Sequence, residues 1–190
     1  MEIDKRIFGF FFYFCVLLYG LLYLGYILII NYAYSTYSVV SISAILLPFI
    51  LLLLIMLVLR KIPHIRNKRS ARKKLKFLPA IGAIPVLICM ILLSVNEYKT
   101  NFTTEKWINN TSERVHIVDN LLNTYDLKEK SQSEIVTLLG PPTETEYFKS
   151  ENNIVYYLGN ERGIISIDSE WLVIEFDGNE TVKNYDVLTD

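Results

Sequence analysis

Cysteine is scarce in this chain of 190 residues: there are two, Cys15 and Cys89, and both lie in uncharged apolar stretches. Residues 96–190 contain none, so no disulfide framework can hold that half together, even in a compartment that would permit one. Neither cysteine follows the small residue that precedes a lipidated cysteine, since Phe14 stands before Cys15 and Ile88 before Cys89. Both read as small apolar fillers. Histidine is equally sparse. His64 stands alone between Pro63 and Ile65, and His116 reads as a surface residue of a helix, so neither suggests a metal site. A phosphate-cradling loop is lacking too: Gly159 and Gly163 lie four apart in LGNERG, without the lysine and the following helix that such a loop needs. Charge itself is missing from Ile7 to Leu59 and again from Phe77 to Val95. Transport and proton relay use ionisable groups within the bilayer, and the spans expected in these runs offer only Ser41, Ser43, Ser94 and tyrosines. Anchoring and helix packing are what such runs can do.

What is present begins with the segment Arg60–Lys76, RKIPHIRNKRSARKKLK, which carries nine basic residues and no acid. It separates long apolar runs, and a basic loop between hydrophobic spans marks the cytoplasmic side of a membrane. Three spans are expected, over residues 7–30, 39–59 and 77–95. The first has 24 residues. At about 1.5 Å per residue it reaches roughly 36 Å, enough for a hydrocarbon core of about 30 Å. That length also exceeds a signal-peptide core, and no clean small-x-small cleavage site follows it. Lys73, Lys74 and Lys76 before the third span resemble a signal anchor, with cleavage there the lesser alternative. Asn31–Ser38, uncharged and tyrosine-rich, reads as a short external turn, and Pro48, Pro79 and Pro85 are tolerable within spans. The basic loop serves as a topology determinant. Arg66, Lys68, Arg69, Arg72, Lys73 and Lys74 are its candidate contacts to anionic lipid.

The two halves differ in charge. Residues 1–95 hold 11 basic and 2 acidic groups, and residues 96–190 hold 8 basic and 18 acidic, so +9 and −10 sum to the net −1. The acidic half argues against nucleic acid as a partner. Positive charge retained on one side predicts an N-terminus in the cytoplasm, three spans, and an extracytoplasmic domain over residues 107–190 after a polar linker at 96–106.

In that domain the apolar spacing of Val115, Val118, Leu122 and Tyr125 predicts a helix over 111–125, capped by Asn110 with Glu113, and with Arg114, His116, Asp119 and Asn120 turned outward. A second helix is expected over 132–139. Ser131 and Glu134 have capping-box spacing, Gly140 suits a left-handed end, and Pro141-Pro142 forbids continuation. Strands follow at 143–148, 153–158, 170–176 and 181–188, with a loop or a short strand at 164–167. Leu172, Ile174 and Phe176 share one face, Trp171, Val173 and Glu175 the other. Asp177-Gly178-Asn179 is the expected hairpin turn. The fold class is therefore a membrane part of three helices plus a small α+β domain, its helix pair packed on an antiparallel sheet of three to four strands. Carboxylate pairs Asp168/Glu170 and Glu144/Glu146 share strand faces and read as solvated rather than catalytic.

The order of a tryptophan, an Arg-x-x-x-Val helix, S-x-x-E-I-V-x-L-L-G-P-P, Y-Y-L-G and W-L-V-I-E-F-D-G-N resembles the small SmpA/OmlA (BamE-like) envelope domain. That family shares the fold of β-lactamase inhibitor protein. The matching stretch is residues 107–187, with Ser131–Pro142 its most specific part. The resemblance implies a helix pair on an antiparallel sheet, protein binding in envelope assembly or maintenance, and no enzyme activity or cofactor. Lipidated members of the family use a single cysteine, whereas this chain has three spans. The expectation is a non-enzymatic protein of the bacterial inner (plasma) membrane whose outer domain binds another envelope or external protein. The alternative is a sensor or immunity-type inhibitor of an external enzyme, toxin or signal. Trp107, Tyr156, Tyr157 and Trp171 are the candidate partner contacts, because aromatics dominate interface hot spots, with core packing as the competing assignment.

Overall fold

The computed structural model describes residues 2–63, 69–163 and 166–190. The chain divides into two units, Met1–Tyr98 and Lys99–Asp190.

The first unit is built on three long helices: α1 Glu2–Tyr32, α2 Val39–Lys61 and α3 Arg69–Thr100. Their apolar lengths are Phe12–Tyr32, Val39–Lys61 and Leu75–Thr100, with mean hydropathies of 2.2, 3.1 and 2.5. Each is long and apolar enough to cross a bilayer. Leu28, Val39, Phe77, Ile81 and many others present apolar side chains outward, which is an arrangement suited to hydrocarbon rather than water. The chain is a multi-pass membrane protein. His64, Arg66 and Lys68 of the basic segment lie outside the described residues, while Arg69, Arg72, Lys73 and Lys74 lie on the first two turns of α3.

Helix α1 runs two residues further than the apolar pattern, absorbing Asn31 and Tyr32, so the connection to α2 shortens to residues 33–38. Ser38 caps α2 by accepting from the Ser41 N–H, and Ser41 Oγ accepts in return from the Ser38 N–H. Three prolines interrupt backbone ladders: Pro48 in α2, and Pro79 and Pro85 in α3. Proline supplies no N–H and its ring crowds the preceding turn, which loosens the bonds to carbonyls three and four residues back. At Pro48 and Pro85 the carbonyl three residues before the proline takes a tyrosine hydroxyl from α1. Tyr23 Oη donates to Ile45 O at 2.6 Å, and Tyr19 Oη donates to Gly82 O at 2.7 Å. Asn96, buried near the end of α3, donates its amide to Ile30 O at 2.8 Å and Ser35 O at 3.1 Å, closing the last turn of α1.

The second unit starts with α4, Thr104–Asn109, whose cap Thr103 accepts from the Lys106 N–H. A single 3-10 turn, Thr111–Glu113, leads into α5, Arg114–Thr124. The expected linker at 96–106 is therefore largely helical, since α3 continues to Thr100 and α4 begins at Thr104. The expected cap at Asn110 does not form: its backbone, at φ −120° and ψ 67°, is not that of an extended cap, and its side chain makes no cap hydrogen bond. Helix α6, Gln132–Leu139, carries the predicted box, with Ser131 Oγ accepting from the Glu134 N–H and Glu134 accepting from the Ser131 N–H. Gly140 follows at φ +75°, the positive φ for which glycine is suited, but with an extended ψ of −170° in place of the αL value.

Strands β1 Asn153–Asn160, β2 Ser169–Phe176 and β3 Val182–Thr189 form an antiparallel sheet in the order β1-β2-β3. Bulges lie between Tyr157 and Gly159 and opposite Glu175/Phe176. The segment 143–148 is not a strand. Phe148 takes φ +55° and the Lys149 N–H turns back to Glu146 O, which breaks the extended chain. Of the expected 164–167 strand, residues 164–165 lie outside the described residues, and 166–167 are not a strand. Leu172, Ile174 and Phe176 face the helices, meeting Trp107, Val118, Leu121, Leu127, Ile135 and Leu139 in the main core. Trp171 and Val173 join Val155 on the opposite face, with Phe148 and Tyr157 against them. Gly159 sits at φ +134°, and a Cβ there would stand 2.5 Å from Ser112 O; the close approach of β1 to the 3-10 turn requires glycine.

Candidate interaction surface

Four aromatic side chains were expected to meet a partner, and the fold uses three of them internally. Trp107 and Tyr156 are fully buried, their rings edge-on with centroids 6.1 Å apart. Tyr156 Oη donates to Gly140 O at 2.9 Å, tying β1 to the end of α6. Burial gives these two to the core, not to a contact surface. Trp171 is buried on the far face of the sheet beneath Tyr147, which stacks on it at 5.4 Å and is itself exposed. Tyr157 is half-buried against the Trp171 ring.

Arg114 departs from the outward placement its helix position predicted. It is 5% exposed, with its guanidinium carbon 5.1 Å from the centre of the Trp107 ring and 5.9 Å from that of Tyr156. Its Nε donates to Trp107 O at 2.7 Å and its Nη1 to Tyr157 O at 3.3 Å. Burial lowers its pKa, while the nearby Tyr156 works the other way. The side chain thus links α4 to β1 through backbone carbonyls, and cation–π contact with two rings supports it. A tryptophan seven residues before an arginine was the signal available in the sequence.

The second polar centre joins the β1–β2 connection to α5. Glu170, paired in the sequence reading with Asp168 as a solvated face, is buried, and Arg162 reaches it with Nε at 3.1 Å from both carboxylate oxygens and Nη2 at 2.8 Å from Oε2. Arg162 Nη1 also meets Asp119 at 2.6 Å. Burial opposes the charge on Arg162, but the two carboxylates outweigh it and raise its pKa. His116, half-buried nearby, is held below the ordinary histidine range, by burial first, with the positive charge of Arg162 adding to it against the pull of Glu113, Glu170 and Asp119. These groups tie the connection down. Glu134 is held below the usual carboxyl range by the Ser131 N–H and hydroxyl it accepts from.

A groove of about 470 Å³ opens between Thr104, Tyr125, Lys130, Ser133, Glu134 and Leu138. Two of its polar groups already have local work: Glu134 closes the cap of α6, and Ser133 meets the Ser131 hydroxyl.

The sheet edges are unlike each other. Along β1, Val155 O accepts from the Thr143 N–H, the Tyr157 N–H donates to Thr143 Oγ1, Tyr157 O accepts from Arg114, and Asn153 O accepts from Lys149 Nζ. That edge is covered. The start of β3 is covered as well, by Glu129 N–H to Val182 O and Val182 N–H to Lys130 O. Beyond it, at Tyr185, Val187 and Thr189, no such cover is found among the described residues. Comparison with family models, with curated proteins and with solved structures returned no match.

Proposed function

We propose that this chain is a non-enzymatic, membrane-anchored protein that presents a BamE-like interaction domain on the extracytoplasmic side of a bacterial plasma membrane, in envelope assembly or maintenance. The observation that carries the reading is the sequence of Arg60–Lys76 between the second and third spans, against the uncharged residues 33–38 between the first and second. Basic loops stay in the cytoplasm, which sends residues 101–190 outward. The composition of that domain agrees: it is acidic, free of cysteine and held by hydrogen bonds and ion pairs that survive in an oxidising compartment. Its strong polar centres, Arg114 and the Arg162–Glu170 pair, serve packing rather than a reacting group, which favours binding over chemistry. Protease added to spheroplasts tests the topology. The expected result is loss of residues 101–190 without opening the membrane; protection until the bilayer is broken would overturn the reading.

A further inference from the structure

The partner class follows from the sheet edges, and this step rests on the reading of the outer domain as an interaction module. In β2, Phe176 donates its N–H to Asn152, and Ser169 O accepts from the Asp190 N–H. Backbone direction alternates along a strand, so Leu188, Asp186 and Asn184 face β2, while Tyr185, Val187 and Thr189 direct their N–H and C=O away from the sheet. Their side chains are not idle: Tyr185 and Val187 pack on the core, which holds this edge extended. An uncovered, extended edge is a template for another strand.

The occupant is set by charge. Glu175, Asp177, Glu180, Asp186 and Asp190 are exposed around this edge, with Lys183 among them and Glu129 and Lys130 beside its start at Val182. A second copy would bring the same acids to the same edge, in a half whose formal charge is −10. A basic strand meets attraction instead. We infer that β3, from Tyr185 to Thr189, is the docking edge for an extended, lysine- or arginine-bearing segment of a partner protein, which joins the sheet as its fourth strand.

The test uses the full-length protein in non-ionic detergent and a synthetic probe of eight residues alternating lysine with valine or threonine. A second probe of equal charge carries proline at alternate positions and cannot pair. The first is expected to bind at least about tenfold tighter than the second, and to slow hydrogen exchange in 182–189. Val187→Pro removes one outward N–H and no ladder donor, and should weaken binding about tenfold. Asp186→Lys, which leaves the backbone intact, should weaken it about threefold, with a shallower salt dependence. Equal binding of the two probes, protection confined to another segment, or a dimer lost in Val187→Pro would each overturn the inference. If a cross-linked envelope partner still binds both variants as well as the parent, the edge assignment falls while the interaction module stands.

Discussion

The two units satisfy buried polar groups by opposite means. In the membrane unit the donors are neutral: the hydroxyls of Tyr19 and Tyr23 and the amide of Asn96 all reach helix carbonyls. The second unit buries charge instead, setting Arg114 against two carbonyls and two rings and pairing Glu170 with Arg162. Solvent explains the contrast. A guanidinium next to water keeps part of its hydration, whereas in hydrocarbon an ion costs several kcal/mol and a hydroxyl costs far less. Buried charge is therefore a device of the domain that water surrounds.

That contrast can be broken by mutation. The largest effect is expected at the ring on which Arg114 and Tyr156 pack: Trp107→Ala should cost the second unit about 3–5 kcal/mol. Its thermal transition should move down, while the far-ultraviolet signal of the long helices persists to higher temperature. Arg114→Ala comes next, at about 2–3 kcal/mol, because Trp107 O and Tyr157 O lose a charged donor. Tyr23→Phe, the membrane counterpart, should cost only about 0.6–1 kcal/mol in a detergent denaturation series. Equal losses at the two sites would remove the distinction. A gain is expected at Glu180, which holds φ +59° in the β2–β3 turn. Glu180→Gly should stabilise by about 0.5–1 kcal/mol, read as a higher melting temperature. The smallest effect is a slope. His116 has its pKa lowered in the folded state, so the unfolded chain takes up the proton first as pH falls through about 6.5. Stability of the second unit should decline below that pH, and His116→Gln should flatten the decline.

Legibility followed locality. Helix α6 was readable to the residue, because Ser131, Glu134 and Pro141 act within one turn of the helix ends. The three spans were readable because only length and the absence of charge decide them. Residues 143–148 were not, since their β-rich composition is overruled by Phe148 turning to positive φ and by Tyr147 finding Trp171. The hairpin was legible at Asp177–Asn179, but its backbone detail was not: Asp177 accepts from the Asn179 and Thr181 N–H groups, and the positive φ falls on Glu180 rather than on Gly178. The burial of Arg114 and Glu170 depends on partners 43 and 8 residues away, a distance no periodicity reports. Aromatic type alone singled out Trp107 and Tyr156, and large rings fill cores as readily as they form interfaces. The open length of β3 is a property of topology, visible once β1 and Thr143 had been placed.

The two tyrosines of α1 have one more effect. Tyr19 and Tyr23 are four residues apart, so their backbones stand about 6 Å apart along the helix axis, while their rings meet with centroids 4.7 Å apart. Each is keyed to the interruption in a different neighbour, Pro85 in α3 and Pro48 in α2. The pair acts as a ruler: it fixes the depth of the second helix against the third, beside the direct packing of Met56 on Leu75. Should either helix slide by one turn, a hydroxyl would be stranded in oil, and the vertical alignment of the whole anchor is written in that single pair.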